Sequence, residues 1–135
     1  MQDAFALVRK AGFKITPRRR AMVALFHESL RPLSPLEVQA ALRKKLGRCG
    51  LPGVYRNLEV LVECGILFRV ADFRRQRRYA LCASLHESHH HHIICISCGQ
   101  TGRIEECRYP SGVMVGGFRV LSHIAQFEGL CPSCL

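Results

Sequence analysis

A chain of 135 residues holds one domain or two small ones, and a core this small usually needs a metal, disulfides or a partner chain. No apolar run approaches the ~20 residues of a membrane helix and no signal-peptide cleavage pattern opens the chain, so a cytoplasmic protein without membrane contact is expected. That compartment is reducing, which argues against reading the eight cysteines as a disulfide scaffold.

The net charge of +10 is unevenly spread. Residues 1–80 carry 17 Lys/Arg against 6 Asp/Glu, whereas residues 81–135 carry 3 against 4. The second stretch also holds six of the eight cysteines and all but one of the seven histidines. Polyanion binding suits the first part and metal binding the second. The predicted organisation is therefore two domains, 1–81 and 82–135.

In chain order, residues 2–11 form a short predicted helix with Phe5, Val8 and Ala11 inward, ended by Gly12. Thr16-Pro17 opens a second, with Thr as N-cap, Pro at the first position, and Met22, Leu25 and Phe26 on its apolar side. Ser34-Pro35-Leu36-Glu37 has the capping-box pattern and starts a helix that runs to about Leu46, where Gly47 stops it. A further helix covers roughly 53–63, with Val54, Leu58 and Leu61 at core spacing and Tyr55, Arg56 and Glu59 pointing elsewhere. Strand-like runs at 66–70 and 78–81 flank a basic loop, DFRRQRR. The last three of these four helices followed by a two-stranded hairpin make a winged helix-turn-helix. The helix over 53–63 has the length to enter a major groove, and the basic loop lies where a wing meets phosphate.

The second part contains Cys95-x-x-Cys98 and Cys131-x-x-Cys134. Two such knuckles supply the four thiolates of a closed, structural zinc site; thiolates also suit iron–sulfur clusters, but a small cytosolic chain favours zinc. Before Cys95 stand four consecutive histidines, 89–92, leading into apolar residues that suggest a strand. Strand neighbours alternate faces, so His90 and His92 share one face and His89 and His91 the other. Cys82, Glu105, Glu106 and His123 are candidate co-ligands. A His/Cys/Glu set suits zinc, whereas a His/carboxylate set suits iron or manganese equally. Cys107 could replace one of these ligands, but is expected to pack.

These residues carry a resemblance. The segments ITPRRRAMV from Ile15, GVYRNLEVL from Gly53, HHHHIICISCG from His89 and GLCPSC from Gly129 make the chain similar to the ferric uptake regulator family over nearly its full length. The resemblance implies an α+β fold: an N-terminal winged helix-turn-helix followed by a small α/β dimerisation domain with a four-cysteine zinc site. It implies a homodimeric, metal-sensing transcriptional regulator, with a corepressor metal fixing the DNA-binding shape.

YALC ending at Cys82 and GQTGRIEEC ending at Cys107 are most like the zinc uptake regulators. Carried over by position, Cys95, Cys98, Cys131 and Cys134 are structural zinc ligands. Cys82, His89 and Glu105 match the sensor ligands, with His90 and His92 as further candidates for the corepressor, a second zinc or else iron or manganese. Tyr55 and Arg56 match recognition-helix residues, and Lys14, Thr16, Arg19 and Arg75 complete the expected contacts to double-stranded DNA, an AT-rich inverted repeat. The chain departs from the family at Pro32 and Phe68, where ligand histidines are usual. It has only the ten residues RYPSGVMVGG between Cys107 and Phe118, where a longer helix is usual.

No enzyme activity is expected. A zinc deaminase needs H-x-E with P-C-x-x-C, but His86 and Glu87 are adjacent and no proline precedes Cys95. The remaining alternatives are an iron, manganese or peroxide sensor of the same family, or a zinc-ribbon protein that binds nucleic acid without sensing.

Overall fold

The computed structural model describes residues 1–29, 31–70, 76–82 and 89–135. The chain divides into two compact units, Met1–Leu85 and His86–Leu135. The division lies a few residues beyond the predicted boundary after residue 81, within a segment outside the described residues.

The first unit runs α1 (Gln2–Lys10), α2 (Pro17–Glu28), α3 (Pro35–Leu46), α4 (Leu51–Glu63), β1 (Leu67–Val70) and β2 (Arg78–Leu81). The helix starts follow from local chemistry. Thr16 caps α2 by accepting the Arg19 N–H, and Ser34 and Glu37 form a reciprocal capping box on α3. Gly47 ends α3 at φ 76°, a left-handed backbone that suits glycine. The helix predicted over 53–63 begins earlier, at Leu51, because Pro52 sits in the first turn, where its missing N–H costs nothing. The inward face of α1 holds at Val8, which is buried, and at Phe5, which packs against the core; Ala4 joins it, and Ala11, the C-cap, is exposed.

The core joins Val8, Met22, Phe26, Leu42 and Leu58, all essentially excluded from solvent. β1 and β2 pair antiparallel, Leu67 opposite Leu81, and Leu33 bridges to Tyr79 with paired backbone bonds of 2.9 Å. The capping box is thereby tied to the hairpin, since the Arg78 guanidinium reaches Glu37 at 3.2 Å. Ser34→Ala is expected to cost about 1 kcal/mol of stability by orphaning a helix N–H, read as a lower urea midpoint with unchanged slope. An unchanged midpoint would show that the Glu37 carboxylate holds the helix start alone.

Among the described residues the second unit contains only strands: β3 (His91–Cys95), β4 (Thr101–Ile104), β5 (Met114–Val115), β6 (Phe118–Arg119) and β7 (Gln126–Gly129). The main sheet has the order β4-β3-β7, with β3 antiparallel to β4 and parallel to β7. In place of the longer helix usual in the family, the ten-residue link after Cys107 supplies β5 and the turn of a small hairpin with β6. Gly102 must be glycine, because a Cβ there would lie 2.9 Å from the Ile93 side chain in the middle of this sheet.

Candidate metal centres and nucleic-acid interface

Strand β3 carries a cluster of metal-ligating side chains at each end. At its C-terminal end, the parallel register sets Cys95 opposite Gly129, and the Ile96 N–H bonds the Gly129 carbonyl at 2.9 Å. The two CxxC turns therefore emerge side by side from neighbouring parallel strands. The sulfurs of Cys95, Cys98, Cys131 and Cys134 lie within 4.8 Å of one another. Cys98 Sγ is 3.6 Å from Cys131 Sγ, and Cys95 Sγ accepts the Cys131 N–H at 3.4 Å. That bond, aided by N–H groups of its own turn, pulls the Cys95 thiol down to about 6. At Cys134 the Ser97 hydroxyl favours the thiolate, but Cys131 and Cys98 outweigh it and push the thiol up to about 11. Four convergent sulfurs with one poised to ionise have the number and type of donors for tetrahedral zinc.

At the other end, strand alternation separates the histidines. His89 and His91 fall on one side with Cys107 and His123, all four ligand atoms within 4.8 Å of one another. His123 Nε2 is 3.1 Å from His91 Nε2 and 3.3 Å from Cys107 Sγ. Register explains the meeting. His123 precedes Gln126 by three residues, as His89 precedes its partner His92, so parallel pairing brings 123 beside 89. Antiparallel β4 runs past His91 at Ile104 and delivers Cys107 from the opposite side. Burial, then the neighbouring imidazoles of His123 and His89, lower the pKa of His91, keeping it in the neutral form that ligates metal.

On the other face His90 Nε2 and His92 Nε2 are 3.2 Å apart, and burial followed by the His90 neighbour pushes His92 down to about 4. His89 thus lies with His91, and His90 with His92, as strand alternation predicts. Glu105 is exposed and 3.6 Å from Arg103, outside the cluster of His89. Glu106 is likewise exposed. Cys82 belongs to the first unit, where its N–H bonds the Ile66 carbonyl at 2.8 Å. The alternation of histidines 89–92 marks the His89/His91 pair in the sequence, whereas nothing local favours Cys107 as a ligand over packing; the fold brings it to His123.

In the first unit, α4 presents Arg56 exposed and Tyr55 partly exposed, while Val54, Leu58 and Leu61 of the same helix are buried. Lys14 is exposed on the approach to α2. Two of the predicted contact residues also serve inside the fold. The Thr16 hydroxyl caps α2, and the Arg19 guanidinium bonds Asn57 Oδ1 at 3.0 Å and the Lys14 carbonyl at 2.6 Å, over the Phe13 ring. Arg75 lies outside the described residues.

Glu59, also on α4, anchors the hairpin. The Tyr79 hydroxyl donates to it at 2.6 Å, and Arg69 of β1 pairs with its carboxylate. The bond from Arg69, then that from Tyr79, holds the Glu59 carboxyl below its ordinary value. Burial and Glu59 push Tyr79 up to about 12, so it stays protonated. At Glu37 burial acts to raise the pKa, but the Ser34 N–H and Arg31 outweigh it, and the net shift is downward. Depressed carboxyls stabilise above the ordinary glutamate range, and that contribution is lost as pH falls through their folded values. Acidification from pH ~5 to ~3 is therefore expected to lower the thermal midpoint more in the native chain than in Glu37→Gln/Glu59→Gln. Equal slopes would show that these two carboxylates carry none of the acid sensitivity.

The sequence model of the ferric uptake regulator family matches residues 10–114. The chain belongs to the ferric uptake regulator family. It is 29% identical to the ferric uptake regulation protein of Bacillus subtilis over 94% of this chain and 89% of that one. It is 28% identical to the peroxide-responsive repressor PerR of Staphylococcus epidermidis over 99% and 89% of the two chains. A zinc uptake regulator solved with zinc and DNA shares the fold, with a TM-score of 0.73 and 21% identity over 96% of this chain and 89% of that chain. Members of the ferric uptake regulator family are metal-sensing, DNA-binding transcriptional regulators and not enzymes, which removes the deaminase alternative. No helix among the described residues is long and apolar enough to cross a membrane.

Proposed function

We propose that this chain is a zinc-responsive repressor of metal-uptake genes, acting as a homodimer on an AT-rich inverted repeat. The observation that carries zinc over iron or manganese is the chemistry of the donors around β3. Both groups of four are built from nitrogen and sulfur, and no carboxylate joins either among the described residues. Oxygen donors are what manganese prefers, whereas imidazole and thiolate suit zinc.

In this reading the four cysteines hold a structural zinc. The regulatory zinc is held at the histidine-rich end of β3, without a part for Glu105. When bound, the ion supplies charge and a fixed coordination geometry. The protein supplies the rest through linkage: metal favours one shape of the dimer, and DNA affinity rises only by the difference in metal affinity between shapes. Arg56 and Tyr55 reach base edges, and Lys14 contacts phosphate. Exposed Phe118, Leu121 and Ile124 in the second unit leave apolar surface that a second copy would cover.

The test is zinc content per protomer before and after mild chelation, with DNA affinity measured on both samples. More than one zinc falling to a single zinc, with loss of specific binding, is the expected result. A single zinc throughout, with unchanged DNA binding, would sink the sensing role and leave the four-cysteine site as the chain's only zinc centre.

A further inference from the structure

Resting on the reading that the histidine-rich end of β3 binds metal, we infer that Cys107 sets which metal that end accepts. Its thiolate turns the His89/His91/His123 group into a site for thiophilic ions such as zinc, cobalt or cadmium, at the expense of ferrous and manganous ions.

The placement of the sulfur is the ground for this. Two carboxylates, Glu105 and Glu106, stand immediately before Cys107 in the chain, and both side chains are exposed. Glu105 is turned toward Arg103. Of these three consecutive residues only Cys107 joins the imidazoles, with its Sγ 3.3 Å from His123 Nε2. A carboxylate at this position would offer a hard oxygen and tolerate octahedral coordination with water. A thiolate offers one soft, strongly bonding donor, and three imidazoles complete four-coordination without solvent. His91 is the buried member of the group, while His89 is exposed and Cys107 and His123 are partly exposed, so the choice of ion falls to the sulfur donor and not to exclusion of water. The thiol must release its proton to solvent when the metal binds, and binding is therefore coupled to proton loss.

The experiment uses the full chain with its structural zinc retained, in a Cys82→Ser background, so that sulfur ligation outside the structural site reports on Cys107. Cobalt(II) is titrated in and the absorption spectrum followed; zinc and manganese(II) affinities are then measured by competition with a chelating dye. Expected are a sulfur-to-cobalt charge-transfer band in Cys82→Ser that vanishes in Cys82→Ser/Cys107→Ser, and a zinc-over-manganese preference that falls by at least about tenfold in Cys82→Ser/Cys107→Asp. Retention of one zinc per protomer in each variant verifies that the second unit stays folded. A cobalt site without a sulfur band, or a preference unchanged by Cys107→Asp, would overturn the inference while leaving the metal site standing. No metal uptake beyond the structural zinc would overturn the underlying reading with it.

Discussion

With serine in place of Cys95, the second unit is expected to lose its zinc and its fold together. Cys95 is the buried member of its group, ends the central strand, and accepts the Cys131 N–H that joins the two knuckles. The unit is small, and among its described residues only His91 and Cys95 are fully sequestered from solvent. A structural zinc contributes on the order of 10 kcal/mol or more to a domain of this kind, far above what so thin a core supplies. Zinc analysis and limited proteolysis of the full chain should show metal loss and rapid cleavage after residue 89. A variant that keeps one tightly held zinc and resists protease would mean that three thiolates suffice, or that the strands hold without the metal.

The second large effect contrasts two residues of α4. Leu58 is fully buried against the core and Arg56, two positions before it, is exposed. Leu58→Ala removes packing from a close-packed interior and is expected to cost about 2–5 kcal/mol, a large share of a small unit's stability. Arg56→Ala removes no core contact and should leave the unfolding midpoint within about 0.5 kcal/mol of the native value. Its cost falls on specific DNA affinity, about 1–3 kcal/mol, with binding to unrelated DNA much less affected. Chemical unfolding and DNA binding at fixed salt, measured on both variants, separate the two roles. An Arg56→Ala chain with undiminished specificity would remove Arg56 from base readout and direct attention to Tyr55.

Legibility followed the range of the interactions. The starts of α2 and α3 could be read because Thr16, Ser34 and Glu37 act on backbone groups within one turn. The core face of α4 could be read because Val54, Leu58 and Leu61 recur at helical spacing. The end of α1 could not: Ala11 reads as an inward helical position, yet it is the C-cap and exposed. Arg19 reads as basic surface, yet its guanidinium is engaged by Asn57 and the Lys14 carbonyl. Composition records charge and polarity but not whether a side chain is already occupied within the fold.

The same division runs through the metal centres. The two CxxC pairs, the four-thiolate donor count and the alternation of histidines 89–92 were determined by the sequence itself, because donor type, knuckle spacing and the two-residue period of a strand are local properties. Tertiary structure decided the rest. The parallel pairing of β3 with β7 set the knuckles side by side and carried His123 to His91, and antiparallel β4 brought Cys107 to the same place. Those groupings depend on strand order and register, which follow from side-chain packing across the sheet, at Gly102 against Ile93 for example.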